Sequence, residues 1–132
     1  MNKLFPLLLL VAIASGAIAA GNAGGHGKAH QARQGATVLK LSASRTGALK
    51  FSKKTLSAKA GTVKLVMSNP SSSGIRHGIA VEGKGVDKDG PIVKPGKKST
   101  LTVKLKKAGK YEFYCPFDSH KKLGMKGSLT IH

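Results

Sequence analysis

The 132 residues contain a single cysteine, Cys115, so no disulfide can form within the chain. Acidic residues are almost as scarce: five Asp and Glu stand against 23 Lys and Arg, a formal charge of +18. Helical periodicity is absent. No long stretch carries an apolar stripe at a period near 3.6, and there are no repeats or heptads. One apolar run opens the chain, and no later segment could span a membrane. Nothing resembles a nucleophile–base pair, a phosphate loop or a second metal cluster, so an enzyme is not expected.

The opening run, "MNKLFPLLLLVAIASGAIAAG", has one cation, Lys3, before an apolar stretch from Leu4 to about Ala14. Ala17, Ile18 and Ala19 then fit the small-residue pattern of a cleavage site. This is the layout of a secretory signal over residues 1–20, and it predicts a periplasmic or extracellular protein. An uncleaved anchor is the alternative. No cysteine follows the expected cut, which argues against a lipid-anchored lipoprotein. Only Lys3 would leave with the signal, so the exported chain stays strongly basic. Such a field speeds encounter with anionic partners and weakens with salt. The candidates are an acidic protein or an anionic membrane or cell-wall surface. Export argues against nucleic acid, and a monomer is expected.

Residues 21–35 are rich in Gly and Ala, with His26 and His30 among them, and read as a flexible tail. Residues 36–132 read as one domain, with alternation of period two. In "KSTLTVKLKKAG", Leu101, Val103 and Leu105 face inward while Thr102, Lys104 and Lys106 face outward. "ATVLKL", "GTVKLVMSN", "IRHGIAVEG", "GKYEFYC" and "GSLTIH" follow the same rule. Gly, Pro, Asn and Ser cluster between them. The pattern predicts an all-β, antiparallel Greek-key β-sandwich of seven to eight strands. "EGKGVDKDGPIVKPGKKS" is the longest irregular stretch and is expected to cross between sheets.

A lone thiol in an oxidising compartment tends to oxidise or pair with another chain. Cys115 ends a strand, and His120 and Met125 follow it in the loop before the last strand. His77 enters an apolar strand upstream, which sets it apart from His26, His30 and His132 in the tail or at the chain end. Strand ends from both sheets meet at one pole of a sandwich, so a short loop and one neighbouring segment can converge there. Two imidazoles, one thiolate and a distant thioether make a trigonal site with a weak axial ligand, the donor set of type 1 copper. Bound to one copper ion, the thiol is shielded. Taken singly, Cys115 reads as a buried thiol, Met125 as core filler and His120 as a solvated loop residue; the spacing of all three favours the metal.

The segment "YEFYCPFDSHKKLGMKGSLTI", with "NPSSSGIRHGIAVEG" upstream, resembles the cupredoxin family of small blue copper proteins, in particular its plastocyanin- and auracyanin-like branches. The resemblance covers about Ala36 to His132. The C-x₄-H-x₄-M loop is longer than that of plastocyanins and is similar to auracyanin, rusticyanin and phytocyanin loops. The resemblance implies equatorial His77, Cys115 and His120, axial Met125, an eight-stranded Greek key and single-electron transfer. It further implies that the His120 ring edge is the electron port, inside a patch of Pro116, Phe117, Leu123 and Gly124. Many relatives carry Asn after the first ligand histidine. Here that position is Gly78, and Ser119 is a candidate to tie the two ligand loops instead. Lys121 and Lys122 in the ligand loop predict a transient redox partner with an acidic docking surface. A copper carrier on the same fold, with His26 and His30 as an entry point, is the alternative. So is a metal-free adhesion-type sandwich, which would leave the thiol unexplained.

Overall fold

A computed structural model describes residues 35–132. The expected signal and nearly all of the expected tail, including His26 and His30, lie outside the described residues. The strands are β1 (Thr37–Ser42), β2 (Thr55–Ala58), β3 (Gly61–Ser68), β4 (Ala80–Gly83), β5 (Val86–Asp89), β6 (Lys98–Leu105), β7 (Gly109–Tyr114) and β8 (Lys126–Ile131), with a 3-10 turn at Ser71–Ser73. They form two sheets, ordered β1-β3-β6 and β2-β8-β7-β4-β5. The all-β sandwich of eight strands matches the expected class.

Alternation builds the core. Val63, Leu65 and Met67 of β3 point inward with Leu101, Val103 and Leu105 of β6. Val81, Tyr111, Phe113, Leu129 and Ile131 face them from the other sheet. Each such side chain contributes about 1.5–3 kcal/mol on burial. Tyr111 keeps its hydroxyl satisfied by donating to the Lys107 carbonyl at 2.7 Å, which pins the β6–β7 turn.

Three details depart from the sequence expectation. The sandwich is not wholly antiparallel, because β1 pairs parallel with β3 and β2 parallel with β8. These consecutive strands lie on edges of different sheets, and each enters beside a strand running its own way. β2 is a four-residue edge strand, too short for alternation to mark it. The stretch read as irregular contains β5, which pairs back onto β4. Lys84 and Gly85, with φ of 49° and 81°, form the two-residue turn between them. The chain does then cross from one sheet to the other between β5 and β6.

Candidate metal centre

Cys115 lies one residue past β7, and Pro116 after it cannot extend the ladder. The loop to β8 folds as successive turns. His120 N–H donates to Phe117 O (3.2 Å), Leu123 N–H to Ser119 O (3.1 Å) and Gly124 N–H to Lys121 O (3.0 Å). Two bonds close it: Met125 N–H to His120 O and Cys115 N–H to Met125 O, both 3.0 Å. The backbone thus returns to its start and places His120 and Met125 beside Cys115. All three side chains are buried.

His77 arrives from the segment before β4, held by a backbone pair with Val93. His77 N–H donates to Val93 O (3.1 Å) and Val93 N–H to His77 O (2.8 Å). Its Nδ1 lies 3.9 Å from the Cys115 sulfur, and His120 Nδ1 lies 3.5 Å from it. The two rings are 5.1 Å apart between centroids. One donor atom from each of the three residues falls within 4.8 Å of the others. Met125 is fully buried on the same loop.

Electrostatics favours neutral donors here. Burial, and then the neighbouring His120, lower the His77 pKa to about 4. Burial raises the Cys115 thiol pKa, while backbone N–H groups of Gly78 and Phe117 pull it the other way. The Gly78 N–H donates to the sulfur at 3.4 Å. A neutral imidazole and a sulfur already receiving N–H dipoles form a donor set waiting for a soft or borderline cation. His77, Cys115 and His120 together fit a single type 1 copper site.

Gly78 and Ser119 sort differently from the expectation. Ser119 is exposed, and among the described residues its hydroxyl makes no hydrogen bond to the site. Gly78 joins the loops by close approach. A Cβ there would lie 2.8 Å from Ile92 Cδ1, 3.1 Å from Pro91 O and 3.3 Å from Pro116 Cδ. The bare backbone lets the β5–β6 loop and Pro116 pack against it while its N–H reaches the sulfur.

Sequence reasoning missed Asn69. It is buried at the end of β3, where its Nδ2 donates to Ile75 O (2.8 Å) and Val93 O (3.1 Å) and its Oδ1 accepts from Ser73 Oγ (2.6 Å). It braces both the chain leading into His77 and the strand-like partner of His77. The signal was present, since Asn69 continues the inward phase of Val63, Leu65 and Met67. Ile92 was missed for want of any pattern in its loop.

Around the His120 ring, Phe117 stands edge-on at 5.1 Å between centroids. Pro116 and Phe117 are half-buried, Leu123 is 66% exposed and Ile92 38% exposed. Of the loop lysines, Lys122 faces solvent, whereas Lys121 turns back onto the protein. Its Nζ pairs with Glu82 and, at 3.2 Å, with Glu112, and lies 4.1 Å from the centroid of the Tyr114 ring. These carboxylates hold the Lys121 pKa above its usual range.

No curated protein sequence matches the chain. Among solved structures it is similar to auracyanin B (22% identity, TM-score 0.65, 74% of this chain and 89% of that one). It is also similar to an auracyanin from Roseiflexus castenholzii (20% identity, TM-score 0.64, 74% and 98%). Auracyanin A, a "blue" copper protein from Chloroflexus aurantiacus, follows (18% identity, TM-score 0.59, 74% and 100%). At these identities the likeness shows the fold. The sequence model of the Cupredoxin-like domain matches residues 8–131, and with that the chain belongs to the cupredoxin family.

Proposed function

We propose that this chain is an exported carrier of single electrons, with one copper ion held by His77, Cys115, His120 and Met125. The carrying observation is the buried convergence of two imidazoles and the only thiol, within 4.8 Å of one another. Copper bound there supplies one-electron chemistry between Cu(II) and Cu(I). The residues supply the rest. The closed 115–125 loop fixes the His120 imidazole in register with Cys115 and Met125, and the Val93 pair and Asn69 fix His77 from the other side. A site whose donors cannot move far suits a charge change with little rearrangement.

His120 is 6% exposed, with Phe117 edge-on to its ring, and is the proposed exit for the electron through the patch of Pro116, Phe117, Leu123 and Ile92. An apolar patch allows close approach and quick release, while charge around it steers encounter. Lys122 and Arg76 are exposed beside the ligands, whereas Lys121 is engaged by the protein's own carboxylates. The partner proposed is therefore a transient redox protein with an acidic surface, met by Lys122 and Arg76 more than by Lys121.

The test is a visible and electron-spin-resonance spectrum with Cu(II). An intense thiolate-to-copper band with narrow parallel hyperfine splitting is expected, and Cys115→Ser should abolish the band. A colourless Cu(II) complex would refute the reading. Burial of all three donors favours retention over delivery of the metal; rapid loss of Cu(I) to a mild chelator would point to a carrier instead.

A further inference from the structure

The two outer faces of the sandwich differ in charge. On the β1-β3-β6 sheet the outward positions run in register across the strands: Thr62 with Lys104, Val38 with Lys64 and Thr102, Lys40 with Val66 and Thr100, Ser42 with Ser68 and Lys98. Four lysines, five hydroxyl residues and two valines make up this face, with no acid. The ion pairs among the described residues involve Lys121 and Lys126, none of these four. The outer face of the other sheet carries Glu82, Asp87, Asp89 and Glu112, four of the five acids in the chain. The fifth, Asp118, is in the ligand loop. No acid precedes residue 82 at all.

We propose that the β1-β3-β6 face is a docking surface for a bilayer rich in anionic phospholipid. Three observations select that occupant. The lysines are spread over the whole face, from Lys104 at one end to Lys98 at the end nearest the metal centre, which suits a fluid array of phosphates. The face has no aromatic or Arg anchor of the kind that concentrates affinity for a protein partner; Val38, 48% exposed, is its largest apolar feature. And β1, an edge strand of this sheet, is preceded in the sequence by Lys28 and Arg33 and by no acid. A molecule seated this way turns its acidic face from the lipid and leaves the ligand loop at the side. The inference does not depend on the copper reading.

Each lysine lost near an anionic leaflet weakens attachment roughly fivefold. The test compares the full chain with two double variants of equal net charge, Lys64→Glu/Lys104→Glu on the face and Lys54→Glu/Lys110→Glu on the side of the other sheet. Sedimentation with phosphatidylglycerol/phosphatidylcholine vesicles at physiological salt is the readout, and pure phosphatidylcholine vesicles report any binding by the apolar opening run. Circular dichroism and thermal melting check that both variants fold. The expected result is a loss of at least about twentyfold for the face variant and under about fivefold for the other, on anionic vesicles only. Equal losses would mean net charge alone and overturn the proposal, as would no binding of the parent beyond that to neutral vesicles. Concentration-dependent self-association abolished by the face variant, without vesicle binding, would assign the face to a second copy and likewise overturn it.

Discussion

At the scale of single residues, His77 couples the metal centre to stability. Its pKa is about 4 in the folded chain against an ordinary 6.5, so the unfolded chain takes up a proton first as pH falls. The metal-free protein therefore keeps its full stability above about pH 6.5 and loses up to about 3 kcal/mol by about pH 4. Urea midpoints of the metal-free protein across that range should show the fall, and His77→Asn should flatten it. Asn69→Ala removes the three hydrogen bonds of a buried side chain, to Ile75 O, Val93 O and Ser73 Oγ, and leaves only the longer Ser73 Oγ to Ile75 O bond of 3.3 Å at that position. A cost of about 2–4 kcal/mol is expected, read as a lower urea midpoint. Gly78→Ala drives a methyl into Ile92 Cδ1 and Pro91 O and should cost about 1–3 kcal/mol while displacing the N–H that meets the sulfur. Adding Ile92→Ala should restore part of the stability and part of the visible band. The convergence of Cys115 and His120 was legible because chemically distinctive side chains stand at short spacing in one loop. The roles of Gly78 and Asn69 were not, because close approach and buried hydrogen bonds are properties of folded neighbours.

At the scale of elements, β8 is the strand on which two pairings depend, antiparallel with β7 and parallel with β2. Gly127 lies where a Cβ would overlap the Phe113 ring and the Lys54 carbonyl. Gly127→Ala is thus expected to lower the melting temperature by several degrees, more than Ser128→Ala on the exposed face of the same strand, as thermal unfolding would show. The long strands β3 and β6 declared themselves through eight residues of alternation each. β2 and β5 are four residues long. β5 carries Asp, Lys and Asp at its last three positions, because it sits on a sheet edge with little to bury. Parallel pairing is likewise silent in sequence, since inward and outward residues alternate the same way in either direction.

For the whole molecule, composition announces a basic protein but not where its few acids gather. Alternation places lysines outward on both sheets; only the register shows that Glu82, Asp87, Asp89 and Glu112 share one face around Tyr114. Burial and the carboxylates of Asp89, Asp87 and Glu82 push the Tyr114 pKa up to about 12, so the phenol stays protonated through the physiological range. Association with the proposed acidic redox partner should slow as ionic strength rises, and Lys122→Ala should reduce that dependence; stopped-flow rates from low to high salt would show it.

Ile92 touches two worlds at once: it is partly open to solvent and it lies against the bare Cα of Gly78, whose amide points at the ligand sulfur. Whatever covers that isoleucine leans on the thiolate's own hydrogen bond. Thermodynamic reciprocity then requires that a protein which prefers one oxidation state displace the midpoint by about 59 mV for every tenfold preference. Voltammetry with and without the proposed partner would measure it, and trimming Ile92 to alanine should mute the response.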